Sequence, residues 1–340
     1  MPTSKDVAAA AGVSQSTVSY VMSGKRPISE KTRKRVEAAM EKLTYQPNAG
    51  ARALASRRTR VIGLVIPFIP ELHMSSIMEF IAVIAATARQ LDHDILLVTD
   101  DEGAAGLQRV VGQQLCDGLI LMQVEGVDNR IPVVRSLGVP VVLIGIPQQT
   151  TGLNCVDADF EQAGALCITD LADAGHRSIC IVNWQTSVVE RHVNYVQRFH
   201  EGVRSAALDR KVQIVTVAGN NDRAGMAAAV DEGLAGLAGA PAFVCPDAGI
   251  QELLLDTLRI RGLTPGTDVS VIGGCSAAVA ERQIIPLSTI DLQPATVSRR
   301  AVQILCAILA GQLQQDHECV ELISPVIVHR DSTIKRPDVP

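Results

Sequence analysis

No apolar run in this chain reaches the length of a membrane span without a polar interruption, so a spanning helix is not expected. The opening stretch MPTSKDVAAAAG has neither a long apolar core nor a secretion cleavage pattern, which points to the cytoplasm. Eight cysteines are present, none at C-x-x-C spacing and most inside apolar runs. They read as reduced, buried thiols rather than disulfides or metal ligands. The motifs H-E-x-x-H, G-x-S-x-G, G-x-x-x-x-G-K-[ST] and G-x-G-x-x-G are all absent. GLAGLAG spaces its glycines by three and follows no strand, so it reads as a loop or a helix end. The seven histidines are scattered, and LDHD and DHEC are weak as metal sites. No catalytic residue, cofactor or metal is therefore expected, and an enzyme is not the reading.

An excess of positive charge is also missing, since the formal net charge is −5. Its distribution is uneven. Residues 1–60 hold twelve Lys/Arg against four Asp/Glu, a balance of +8, and the remaining 19 basic and 32 acidic residues give −13. A basic arm on an acidic body suits a polyanion partner. A solvated charged face would show the same charge. A length of 340 residues with 47% hydrophobic and 20% charged residues is enough for two or three packed domains.

The first sixty residues carry helix signals. Thr3 can cap a helix with Asp6 three positions on, and that helix would stop at Gly12. Ser14 is a second N-cap, opening QSTVSYVMS, and Ser29 caps a third helix over SEKTRKRVEAAMEKL. Val36, Ala39, Met40 and Leu43 share one face of that third helix; Val7, Ala11, Val18, Val21 and Met22 supply the rest of a three-helix core. Two helices joined by a tight Gly turn make a helix-turn-helix. The second helix presents Gln15, Ser16, Ser19 and Tyr20. Gln pairs bidentately with adenine, and Ser serves donor or acceptor edges in the major groove. A three-helix module that binds protein remains an alternative from these residues alone.

YQPNAGARALASRR follows. Pro47 disfavours helix for Gln46, Asn48 is a good N-cap, and AGARALA supplies about two turns. A helix that short, with Gly50 inside it, is marginal in water. The expectation is a segment that orders only on DNA; a plain linker is the alternative.

Beyond residue 60, apolar strands alternate with helical stretches: VIGLVIP, DILLVTD, DGLILMQV, PVVLIGI, then SICIVN, QIVTVA, AFVCPD and SVIGGCS. Such runs signal parallel sheets covered on both faces. Two sets, broken near Asp157–Phe160, imply two α/β lobes, with PLSTIDLQP and VELISPVIVHRDST crossing between them. Ligands in this architecture sit at the carboxyl ends of strands. Candidates there are Phe68, Asp157, Asp159, Asp247 and Trp184, the one tryptophan, whose face could stack on a sugar.

KDVAAAAGVSQSTVSYVMSG, followed by VEAAMEKLTYQPNAGARALASRRTRVIGLVIP, resembles the lactose/galactose-repressor family of bacterial transcription regulators. The matching pattern is D-V-A-x-x-A-G-V-S-x-x-T-V-S, then Y-x-P-N-x-x-A-R-x-L at family spacing. The likeness extends more weakly over nearly the whole chain. It implies an all-α helix-turn-helix headpiece over 1–46, a hinge helix or linker over 47–59, and a two-lobed α/β body over 60–340 like periplasmic sugar-binding proteins. The N-lobe would span about 60–158 plus 291–321, and the C-lobe about 159–290 plus 322–335. The resemblance makes Gln15, Ser16 and Tyr20 base readers and Ser14, Thr17, Ser29 and Asn48 phosphate contacts. Thr3, Ser4, Ser19 and Thr32 complete the expected DNA-binding set in the headpiece. Tyr20 stands where several members carry Arg, so the outer operator bases are expected to differ.

The hinge would place Leu54 as a minor-groove wedge, with Ala51 and Ala55 small enough for close approach and Arg52, Arg57 and Arg58 near phosphates. In the body, AGHRSICIV and TPGTDVSVIGG with IIPLSTI match family stretches that mark lobe packing and the dimer face. Arg198 falls one residue from the family's effector-binding Arg, and Asp247 matches its strand-end Asp. Cys275 stands where members commonly have an effector-binding Asp, and Pro246 where an Asn is frequent.

The function implied is a nucleoid-associated repressor. It would bind a pseudo-palindromic DNA operator as a homodimer under the control of a small, carbohydrate-like effector, with no membrane partner. Control by a protein partner, or a cytosolic solute sensor without a DNA role, stays open.

Overall fold

The computed structural model describes residues 2–23, 26–45, 58–67, 74–99, 102–314 and 318–334. The chain divides into two compact units, Met1–Thr59 and Arg60–Pro340.

The first unit holds three helices: α1 (Ser4–Ala11), α2 (Gln15–Ser23) and α3 (Glu30–Lys42). The Thr3 backbone N–H donates to the Asp6 carboxylate at 2.8 Å, and the Asp6 N–H donates back to the Thr3 hydroxyl at 3.3 Å. This reciprocal pair satisfies two donors that a helix start leaves orphaned. Gly12 ends α1 with φ 60° and ψ 41°, a left-handed cap that favours glycine. Ser14 and Ser29 cap the next two helices, accepting from the N–H groups of Thr17 at 3.1 Å and Thr32 at 3.3 Å. The core is Val7, Ala8, Ala11, Val18, Val36 and Ala39, with Val21, Met22, Met40 and Leu43 packed at its edge. The Arg35 guanidinium donates to the carbonyls of Ala11 and Gly12, which ties α3 to the negative end of α1.

The second unit carries two six-stranded sheets among its described residues. The first contains β1 (Val61–Ile66), β2 (Asp94–Thr99), β3 (Gly118–Leu121), β4 (Val141–Ile144), β5 (Asn154–Ala158) and β11 (Cys319–Ile323), in the order β11-β5-β4-β3-β1-β2. All its pairings are parallel. The second contains β6 (Ser178–Gln185), β7 (Gln213–Gly219), β8 (Ala242–Cys245), β9 (Ser270–Gly273), β10 (Ser288–Asp291) and β12 (Val326–Val328), in the order β12-β10-β9-β8-β6-β7. Only β12 runs antiparallel there.

Helices bury both faces of each sheet, as continuous apolar strands require. In the first lobe α4 (Met74–Gln90) and α13 (Pro294–Leu309) cover one face, with α5 (Gly103–Gly112) and α6 (Ile131–Val134) on the other. In the second lobe α7 (Phe160–Asp173) and α9 (Asn194–Arg210) cover one face, with α10 (Arg223–Gly236) and α11 (Gln251–Ile260) opposite. Two short helices, α8 (Thr186–Glu190) and α12 (Ala277–Glu281), complete the described elements. α7 and α9 meet backbone to backbone. A Cβ on Gly202 would lie 1.8 Å from the Glu161 carbonyl oxygen, and one on Gly164 would lie 2.2 Å from that of Phe199.

The chain passes between lobes after β5, after β10 and between β11 and β12. The last passage lies later than the sequence suggests. Leu322 and Ile323 pair with Asp157 and Ala158, so they belong to the first sheet. In the stretch AGHRSICIV, His176 is buried and lies 3.1 Å from the Ala240 carbonyl and 2.9 Å from the Ser270 hydroxyl, joining the starts of neighbouring strands.

Candidate functional sites

On the headpiece, Gln15, Ser16 and Ser19 are exposed along α2 and Tyr20 is half-buried. Three observations bear on how these side chains are held. The Gln15 amide donates to the Ser4 hydroxyl at 2.8 Å. This leaves one amide N–H and the amide oxygen, the two groups a bidentate adenine contact needs. The Ser14 hydroxyl lies 2.8 Å from both the Ser16 and the Thr17 hydroxyls. The Arg26 guanidinium sits 4.9 Å above the centre of the Tyr20 ring. The resemblance did not single out Arg26. Its signal is a basic residue just past α2, within reach of an aromatic on that helix. Thr3 and Ser29 hold their hydroxyls in caps, and Thr32 lies 2.9 Å from Ser29. Asn48, Ala51, Arg52, Leu54 and Ala55 lie outside the described residues, as does Phe68.

In the body, a cleft opens where the first and second sheets present their strand ends. It has two adjoining chambers of about 190 and 310 Å³, which share Ser76, Phe80, Asp157, Phe160, Gly274 and Leu292. Asp157 closes β5 and is 7% exposed. It accepts from Arg198 of α9 at 2.7 Å, and Arg198 also donates to the Ala158 carbonyl at 3.0 Å. Burial pushes the Asp157 carboxyl up to about 6, even against the pull of that guanidinium. Asp247 follows β8 and accepts from the Gln185 N–H at 3.1 Å and the Gly249 N–H at 2.8 Å, which fixes its carboxylate on the wall.

Trp184 lines the same chamber at 6% exposure. Phe199 meets it edge-on at 5.2 Å and Tyr195 lies at 5.6 Å, so it is a supported wall more than a free stacking face. Cys275 lines the second chamber, and its sulfur accepts from the Gln251 amide at 3.1 Å. Six of the eight cysteines are buried, and all eight are free thiols.

Two expectations are corrected. Asp159 does not line the cleft. It is the N-cap of α7, accepting from the Gln162 N–H at 3.0 Å, because the helix begins directly after β5. Arg198 does not line it either; its charge is taken up by Asp157 behind the wall.

Sequence reasoning also missed Tyr195, Phe160, Gln123, Glu79 and Asp291, all of which line the cleft. Phe160 and Tyr195 stack at 5.0 Å across the starts of two helices. Gln123 adopts φ 55°, a conformation a non-glycine residue holds only when its surroundings impose it. Its place just past β3 was the available signal. Among the described residues no group of His, Cys, Asp and Glu is arranged to hold a metal ion. No helix there is long and apolar enough to cross a membrane.

Residues 3–48 match the family described as bacterial regulatory proteins, lacI family, and residues 168–333 match a periplasmic binding protein-like domain. Residues 59–243, more than half the chain, match the periplasmic binding proteins and sugar binding domain of the LacI family. The chain belongs to the LacI family. Its LacI-type headpiece and two-lobed body have curated and structural counterparts. Catabolite control protein A of Priestia megaterium is 31% identical over 207 residues, 60% of this chain and 61% of the relative. The HTH-type transcriptional repressor PurR of Vibrio atlanticus is 28% identical over 98% of this chain and 99% of its own. The Lac repressor bound to ONPG in its repressed state superposes with a TM-score of 0.80 at 25% identity, over 98% of this chain and 99% of that one. The match to catabolite control protein A thus spans about three fifths of that relative's length. PurR is a transcriptional repressor by name, and the superposed structure is of a repressor.

Proposed function

We propose that this LacI-family chain is a transcriptional repressor. It binds a pseudo-palindromic operator as a homodimer in the cytoplasm, at the nucleoid, and a small molecule in the cleft controls it. The observation that carries this reading is the face of α2. Gln15, Ser16 and Ser19 are exposed there beside Tyr20, on a packed three-helix unit whose first sixty residues carry +8. An exposed Gln with its amide already oriented is a reader of base edges, and the basic surround supplies phosphate contacts. The cleft sits at strand carboxyl ends between two lobes, the place where hinge closure couples to a ligand.

Selection from a randomised duplex library with the full chain is the first test. A two-fold symmetric consensus with adenine in each half-site is expected. No enrichment over the starting library removes the reading. Leu54→Ala, at the position where the resemblance places the wedge, is expected to weaken binding to the consensus by about 2 kcal/mol while sparing non-specific DNA. Equal loss on both, by gel shift, would count against a wedge.

A further inference from the structure

We propose that the cleft takes a small organic cation, a protonated amine carried on an apolar or aromatic body. This rests on reading the cleft as the effector site, and it names the class of effector.

The cleft walls carry four carboxylates. Asp157 and Asp247 line one chamber; Glu79 and Asp291 line the other. Among the described lining residues of both chambers there is no Lys, Arg or His. Arg198, behind the wall, is held by Asp157 at 2.7 Å, which neutralises one carboxylate and leaves three. Asp247 is fixed by backbone N–H groups, and one Asp291 oxygen accepts from the Gln293 N–H at 2.8 Å. Among the described residues no cation pairs with Glu79 or Asp291. Burial, and then the charge of Asp291, push the Glu79 carboxyl above its ordinary value. An anionic ligand here would meet both repulsion and desolvation, while for a cation the attraction of the carboxylates offsets its desolvation.

The remaining polar groups lean the same way. The Gln123 side chain lines the cleft, and its amide oxygen is buried without a hydrogen-bond partner. Pro246 brings no N–H, and Cys275 brings only a thiol already accepting from Gln251. The described lining thus sets four carboxylates against no cation, the wrong balance for a phosphate or carboxylate. Its aromatic side chains, Phe80, Phe160, Trp184 and Tyr195, make an apolar wall whose rings attract a cation. The protein already uses that attraction, since the Arg198 guanidinium lies 5.9 Å above the Phe160 ring.

Trp184, the one tryptophan, lines the cleft and reports occupancy by its emission. The full chain is titrated with two matched series that keep the body and change the charge: tyramine, tyrosol and 4-hydroxyphenylacetate; glucosamine, glucose and glucose 6-phosphate. In at least one series the amine is expected to bind about tenfold or more tighter than its neutral partner, with no binding of the anion. Glu79→Gln is expected to weaken the amine several-fold and the neutral partner far less, so that the amine's advantage over the neutral compound shrinks. If the anion or the neutral compound binds as tightly as the amine, or if neither amine binds at millimolar concentration, the inference is overturned. Retention of consensus DNA is measured in parallel. Amine binding without any change in retention upholds the cation and removes effector control. Release of DNA by glucose 6-phosphate does the reverse.

Discussion

The headpiece and the body of this protein solve opposite problems. The first sixty residues carry +8, and the rest carry −13. The headpiece core is six small or β-branched side chains held by local devices: a reciprocal Thr3–Asp6 cap, the Gly12 stop and serine caps on α2 and α3. The body rests on apolar layers over both faces of two sheets, and it buries ion pairs, one local (Asp128–Arg130) and one between residues far apart in the chain (Asp157–Arg198). Charge that faces a polyanion stays exposed in one unit. In the other, charge is buried, paired and gathered around a cavity. A chain can therefore be acidic overall and still present a basic reading face, because each unit sets its own electrostatics.

Breaking a buried pair in the body gives the largest expected effect. Arg130 donates to Asp128 at 2.7 Å and to the Gln123 carbonyl at 3.0 Å, and both side chains are at most 5% exposed. Arg130→Met leaves Asp128 buried and unpaired, and is expected to lower the stability of the body by about 3–5 kcal/mol. Urea unfolding followed by Trp184 emission reads the body alone. An unchanged midpoint would contradict a structural role for the pair.

The next largest effect is on pH. Asp157 is raised from an ordinary 3.8 to about 6. Between these values the unfolded chain has lost a proton that the folded body keeps. Stability therefore falls as pH rises through about 6, by about 3 kcal/mol in all. Asp128 runs the other way. Burial alone would raise it, but the hydrogen bonds and charge of Arg130 win and hold the carboxyl below its ordinary value. Its contribution is full above the ordinary value of 3.8 and is lost as pH falls below it. In Asp157→Asn the slope between pH 4 and 6 is expected to flatten; a slope identical to that of the parent would assign it elsewhere.

Smaller effects sharpen the headpiece side. Thr3→Ala removes the α1 cap and is expected to cost about 1 kcal/mol, confined to the headpiece and invisible to Trp184. A helical circular dichroism transition separate from the emission transition checks this. Ser4→Ala frees the Gln15 amide and is expected to relax the adenine preference by under about 1 kcal/mol while leaving other operator positions unchanged. A repeat of the library selection reads it directly.

The same contrast explains what could be read in advance. Thr3, Gly12, Ser14 and Ser29 announce helix ends within three residues of themselves, so the three helices and their core were visible in sequence. The body's alternation of apolar runs announced two parallel sheets, yet β5 was missed. Asn154, Cys155, Val156, Asp157 and Ala158 are all buried, and no alternation marks them. The Asp157 partner lies 41 residues away, and no local pattern predicts that. Asp159 was misplaced for a related reason: strand end and helix cap are adjacent, and a carboxylate suits either. Tyr195 and Gln123 join the cleft only through the packing of separate elements, and the backbone of Gln123 is set by that packing. Local chemistry made the headpiece readable, and the cleft became visible only once distant residues were brought together.

The proposed function rests on sequence-selective binding by a basic headpiece repeated about a two-fold axis. Fluorescence anisotropy of the full chain on three labelled duplexes tests it most directly: the symmetric consensus, a single half-site and a scrambled sequence, each across a range of salt. The symmetric duplex is expected to bind about a thousandfold or more tighter than the scrambled one, with the half-site between them and affinity falling steeply with salt. Equal affinity for all three duplexes, or affinity indifferent to salt, would contradict it.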